Sequence, residues 1–269
     1  MKKILVPTDF SKNALKALKY ATNLVNKTKA SITLVHAYQI NSGTGRMVSF
    51  EHIVQKDREQ EMKSLIREIK PLLGDQIALD SLVKNGNAQD IITETANNIG
   101  ADLILMGTTG AGGMKKLFMG STASNVIKNT EIPVLAIPEA YEGEKMDEIT
   151  FAVDNKTLKD YTILNPLLEL VKINNAHLNL LIVVNEDKDP IGIDEDLLNY
   201  IAQNEIKFGY SKISADSVSQ GIKNFIQHKG SNLLCLVHHN RAWFENIFHR
   251  SVSENMAFET HIPLMVLRG

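Results

Sequence analysis

Only one cysteine, Cys235, occurs among the 269 residues, which excludes an internal disulfide framework and fits a reducing compartment. Its neighbours, Leu233-Leu234 and Leu236-Val237, read as a buried strand holding a core thiol. The sequence also lacks an excess of charge of one sign. Lys and Arg number 29 against 31 Asp and Glu, and the net charge of −2 leaves no basic stripe to neutralise nucleic-acid phosphates. Nucleic acid is therefore not an expected partner. Long hydrophobic runs are missing too: after Met1-Lys2-Lys3 the apolar stretch Ile4-Leu5-Val6 falls far short of a signal-peptide core or a membrane span. A cytoplasmic chain with no membrane partner is expected. What is present is 43% hydrophobic and 22% charged residues, the composition of a globular protein long enough for two cores.

Apolar runs alternate with stretches of helical period. "KILVP", "NALKALKYATNLV", "SITLVHA", a helix from about residue 50 to 69, "IALDSLV", "AQDIITETANNIG", "DLILMG", "STASNVIKN" and "PVLAIP" give β-α-β-α-β-α-β-α-β. Continuous Val/Ile/Leu runs imply strands covered on both faces, hence a parallel, doubly wound α/β sheet. The pattern then restarts. "EITFAVDN" mirrors "KILVPTDF", "HLNLLIVV" mirrors "SITLVHA", and pairing Pro133 with Pro263 aligns Phe118 with Phe248 and Ser121 with Ser251 without a gap. The chain reads as two tandem repeats, residues 1–140 and 146–269, joined by a charged linker. Residues 41–49, rich in Gly and Ser, read as a mobile connector, with a lid as the alternative.

Between Gly107 and Gly120 lie five glycines in fourteen residues, directly after the fourth strand. Gly107 and Gly110 are expected at positive φ, where bare backbone can approach a ligand, and Gly120-Ser121 at the start of the next helix. A helix N-terminus presents unpaired N–H groups to an anion, and phosphate suits it. Two known phosphate loops fail on spacing. A P-loop needs Lys where Gly113 follows Gly112, and G-x-G-x-x-G needs glycine where Lys115 stands.

The spacing present is G-x2-G-x9-G-S, read as Gly107, Gly110, Gly120 and Ser121. With "VPTD" ending the first strand and "TLVHA" as the second, the chain resembles the nucleotide-binding universal stress protein family. The resemblance covers both halves, the motif only the first. It implies Rossmann-like repeats of strand order 3-2-1-4-5, with ligand at the carboxyl ends of strands one and four. It also implies ATP, with Mg²⁺, as the ligand. Pro7, Thr8 and Asp9 would line the adenosine, and the Ala37 backbone would meet the adenine. Met106, Gly107, Gly110, Gly120, Ser121 and Thr122 would hold ribose and phosphates. Asp9 is expected to accept from a ribose hydroxyl or the adenine amino group, the other reading being a helix N-cap. His36 reads as a packed strand residue, and Lys115 and Lys116 as solvated charges.

In the second repeat the motif positions are Val237, Asn240, Arg250 and Ser251, and Pro7-Thr8 has become Ala152-Val153, although Asp154 matches Asp9. Added Cβ atoms would stand where backbone meets phosphate, so this half is not expected to bind ATP in the same way. Arg241 and Arg250 could recruit an anion. His238, His239, His249 and His261 crowd this region, but their spacing matches no zinc site, and none is expected. No hydrolytic or metal constellation stands out, so binding without efficient turnover is expected, with weak ATP hydrolysis or a non-nucleotide interaction module as alternatives. The apolar fifth strands need cover. Family members commonly pair through this strand, so the resemblance implies an internal pseudo-dimer, with a further homodimer and an unknown protein partner left open.

Overall fold

The computed structural model describes residues 1–40, 47–109, 119–143, 145–153, 158–184, 194–238 and 261–269. The chain divides into two compact units, Met1–Glu139 and Ala140–Gly269. In the first, the order is β1 (Lys3–Pro7), α1 (Lys12–Thr28), β2 (Ser31–Tyr38), α2 (Met47–Ile69) and β3 (Leu79–Asn85). Then come α3 (Ala88–Ile99), β4 (Leu103–Gly107), α4 (Ser121–Asn129) and β5 (Val134–Ile137). All strand pairs are parallel, in the order β3-β2-β1-β4-β5. Parallel neighbours cannot be joined by hairpins, so a helix carries each crossover.

Local chemistry accounts for these elements. Ile4, Leu5 and Val6 in β1 and Leu103, Ile104 and Leu105 in β4 are completely buried, each worth about 1.5–3 kcal/mol. Helix α1 opens at Ser11, whose hydroxyl accepts from Ala14 N–H at 3.2 Å, and buries Ala14, Ala17, Leu18, Ala21 and Val25 at three- and four-residue spacing. Helix α3 opens at Asn87 and stops at Gly100, which takes the left-handed conformation (φ 61°). Helix α2 begins at Met47, earlier than its period predicts, so residues 47–49 belong to it and not to a connector; residues 41–46 lie outside the described residues. Strand β3 departs from the expectation of burial on both faces. It ends the order, and Asp80, Ser81 and Leu82 are exposed.

The second unit repeats the plan. Its strands are β6 (Glu148–Val153), β7 (His177–Val184), β8 (Phe208–Ser214), β9 (Leu233–His238) and β10 (Leu264–Arg268), in the order β10-β9-β6-β7-β8. Its α-helices among the described residues are α5 (Asn165–Asn174), α6 (Glu195–Ala202) and α7 (Val218–Lys229), and α6 is far shorter than its counterpart α2. The amino ends of the strands match bond for bond in the two units. Asp102 accepts from the Lys2 and Lys3 N–H groups at 2.6 and 2.9 Å, and Asn232 accepts from Asp147 and Glu148 at 3.0 and 2.9 Å. Main-chain bonds agree as well: Ser31 N to Lys2 O corresponds to His177 N to Asp147 O, both at 2.8 Å.

Cys235, in the middle of β9, is fully buried, and burial pushes its thiol pKa up. The native thiol should resist thiol reagents at pH 8 and react only as fast as the second unit opens, measurable by labelling against denaturant. Because the unfolded thiol ionises near pH 8.5 while the folded one keeps its proton, stability is undiminished below that pH and falls progressively as the pH rises above it toward the raised folded value.

Candidate functional site

Parallel strands bring their carboxyl ends to one edge, and in the first unit the order reverses between β1 and β4, the place where open α/β sheets take ligands. The register pairs Leu5 with Ile104 and Pro7 with Val35. Continued by one residue, it sets Thr8 beside His36. Thr8 N–H donates to Val35 O at 2.9 Å, and His36 Nδ1 lies 2.8 Å from Thr8 O. A carbonyl can only accept, so the ring carries its proton on Nδ1. Its Nε2 is buried without a hydrogen-bond partner. Burial, the leading cause, lowers the His36 pKa, with Arg58 adding to it and Glu61, Asp9 and the Thr8 carbonyl opposing.

After Thr8 the chain turns sharply. Phe10 has φ 62°, strained for a residue with a side chain. Two local bonds hold the turn: Phe10 N–H to Thr8 Oγ1 at 3.1 Å and Ser11 N–H to Asp9 Oδ1 at 3.0 Å. The Phe10 ring also leans on His36, with centroids 4.4 Å apart. Asp9 is thus not the cap of α1. Ser11 is, and Asp9 closes an Asx-turn with its side chain exposed at the sheet edge.

The glycine motif has a different basis from the one its spacing suggests. Positive φ among the described glycines is confined to Gly86, Gly100 and Gly230, so Gly107 is not among them. A Cβ on Gly107 would stand 2.7 Å from Nδ2 and 2.9 Å from Cγ of Asn13, in the first turn of α1. Asn13 is only 3% exposed, and its Nδ2 donates to both the carbonyl and the hydroxyl of Thr109, at 3.0 Å each. Gly120 is the N-cap of α4, with φ −65° and no side-chain cap. Its N–H donates to Thr108 O at 2.6 Å, and a Cβ there would meet that oxygen at 3.1 Å. The first turn of α4 therefore begins against the end of β4, with no side-chain cap among the described residues and its positive dipole end on that side.

The remaining expected residues are placed as follows. Pro7 ends β1, and Thr8 is buried behind Asp9; Ala37 is half-buried near the end of β2, and Met106 is buried in β4. Ser121 is exposed and Thr122 half-buried in the first turn of α4. Gly110, Lys115, Lys116, Asp154, Asn240, Arg241, Arg250, Ser251, His239 and His249 lie outside the described residues. In the second unit Val237 fills the position of Gly107 with a buried side chain. His238 beside it receives a hydrogen bond on Nδ1 from Arg268, and His261 is exposed. No group of three metal-ligating side chains occurs among the described residues, nor a helix long and apolar enough to cross a membrane. Sequence reasoning missed Asn13, Phe10 and Ser11. Ser11, with Asn13 two residues later at the head of an apolar helix, was the available signal for those two residues.

An NMR titration should find the His36 midpoint below 6.5, with the proton on Nδ1 in the neutral ring. The unfolded imidazole charges near pH 6.5 and the folded one does not, so the stability of this unit is full above that pH. It should decline as the pH falls toward the folded value, and less so in His36→Gln.

The family model for the Universal stress protein family matches residues 1–138. Universal stress protein MJ0531 of Methanocaldococcus jannaschii is 34% identical over 140 residues, covering 51% of this chain and 81% of its own length. Universal stress protein MJ0577 of the same organism is 29% identical over 152 residues, covering 51% and 94%. Among solved structures, a universal stress protein from Archaeoglobus fulgidus DSM 4304 superposes with a TM-score of 0.75 at 18% identity, over 99% of this chain and 96% of that one. The last likeness extends the shared fold across both repeats. With just over half of the sequence matched by the family model, the chain belongs to the universal stress protein family.

Proposed function

We propose that the first unit binds one adenine nucleotide, ATP with Mg²⁺, and that occupancy, not turnover, is its contribution to a nucleotide-dependent stress response. The observation that carries this reading is the closure of the start of α4 onto the end of β4 through Gly120 N–H and Thr108 O. That contact leaves a helix N-terminus with no side-chain cap among the described residues and no Cβ at its N-cap, at the same carboxyl edge where Asp9 is exposed. Backbone N–H groups and a helix dipole favour the phosphates, and Ser121 and Thr122 add hydroxyls to the same turn. Asp9 keeps acceptor capacity for a ribose hydroxyl or the adenine amino group, and the Ala37 backbone borders the same end of β2. When bound, Mg²⁺ would neutralise charge on the phosphates.

The second unit is assigned no nucleotide, because its sequence carries Asn240 and Arg250 where the first has Gly110 and Gly120, which adds Cβ atoms where backbone would meet phosphate. Family membership supports the class of ligand, and the absence of a recognised hydrolytic motif in the sequence supports binding over catalysis.

Calorimetry of the full chain with ATP and Mg²⁺ should give one site per chain, and the same mixture should release no steady ADP or AMP. Gly120→Val should weaken binding by at least roughly tenfold, since its side chain would compete with both Thr108 O and the phosphates. No heat with ATP, ADP or AMP refutes the reading; steady product release replaces it with an enzyme, and two equal sites per chain overturn the assignment to the first unit.

A further inference from the structure

We infer that Asn13 is a positioning residue for the nucleotide, and that it is Asn13, not the ligand, that requires glycine at position 107. This rests on the proposal that the first unit binds nucleotide, and it names a residue outside the glycine motif that shapes the site. Asn13 spans the gap between α1 and the point where the chain leaves β4. Its amide nitrogen holds Thr109 twice, at the carbonyl and at the hydroxyl. Thr108, one residue earlier, receives Gly120 N–H, so α1, the end of β4 and the start of α4 form one clamp.

The other end of the same amide argues that stability alone does not account for asparagine here. Asn13 Oδ1 is buried and has no hydrogen-bond partner, and a buried acceptor left unpaired carries its full desolvation penalty. An apolar residue in the first turn of α1 would avoid that penalty. The amide is retained with its two donated bonds to Thr109, and these fix where the phosphate-facing backbone begins.

Gly107 follows from this placement. A Cβ on it would overlap the Asn13 amide at 2.7 and 2.9 Å, and that amide cannot swing aside without giving up Thr109. The second unit supplies the internal contrast. Helix α1 opens at Lys12 after β1 closes at Pro7, whereas α5 opens at Asn165 after β6 closes at Val153. There the residue aligned with Gly107 is Val237, accommodated with 4% exposure.

A four-member cycle in the full-length chain tests the inference: wild type, Gly107→Ala, Asn13→Ala and the double variant. Gly107→Ala should lower the Tm of the first unit by roughly 5 °C. In the Asn13→Ala background the same change should cost less than about half of that, the remainder coming from the Asn13 carbonyl oxygen, 3.2 Å from the new Cβ. Asn13→Ser repeats the cycle if Asn13→Ala does not fold. Deuterium exchange at the Gly120 amide should rise about tenfold in Asn13→Ala with the β1 amides unchanged, a local loosening that a general packing role would not produce. ATP affinity should fall by roughly tenfold in the same variant. Additive Tm losses, or an unchanged Gly120 amide, overturn the inference. Failure of the wild type to bind ATP refutes the functional proposal and the nucleotide part of this one, while the Tm cycle still decides whether Asn13 dictates Gly107.

Discussion

Parallel pairing of β1 on both of its flanks is the constraint on which the first unit depends. A strand hydrogen-bonded to β2 on one side and β4 on the other, and covered on both faces, favours apolar side chains, and Ile4, Leu5 and Val6 vanish from solvent. The same pairing directs every carboxyl end to one edge. It leaves the chain two ways off β1, and the one taken is abrupt: four residues carry it from Pro7 to α1. That turn is short enough to need a strained Phe10 and two side-chain bonds, and it brings the first turn of α1 down onto the end of β4.

The polar corner built there is distinct from the apolar core in how it is held. Core burial is non-directional and tolerates exchange of one aliphatic residue for another of similar volume. The contacts among Asn13, Gly107, Thr109 and Gly120 are directional, with separations set to tenths of an ångström. An edge organised in this way holds the described donors, Asn13 Nδ2 and Gly120 N–H, in place through bonds within the chain.

Much of the fold was legible in the sequence because its strands are short Val/Ile/Leu runs closed by turn residues. The two repeats were visible from the matched spacing of Pro133 and Pro263 with Ser121 and Ser251. Where reading failed, tertiary position had overridden local pattern. The stretch "IALDSLV" looks like any other strand, yet β3 lies at the end of the order and exposes Leu82. The glycine spacing pointed to the carboxyl edge of the sheet but not to the reason for Gly107, since Asn13 lies 94 positions away and meets it only once the sheet is formed. For Asp9 the sequence left a helix cap as the other reading beside a ligand acceptor; the turn at Phe10 gives the cap to Ser11 and leaves Asp9 exposed.

The matching bonds of Asp102 and Asn232 at the amino ends carry a consequence for how such a chain changes over time. Anchoring of the central strand is done at the bottom of each sheet, by an oxygen that either a carboxylate or an amide can supply. The top of the sheet is then relieved of that duty. A duplicated copy can exchange residues at its carboxyl edge, as Val237 stands for Gly107, while its scaffold endures, so change at that edge and change of architecture become separable events.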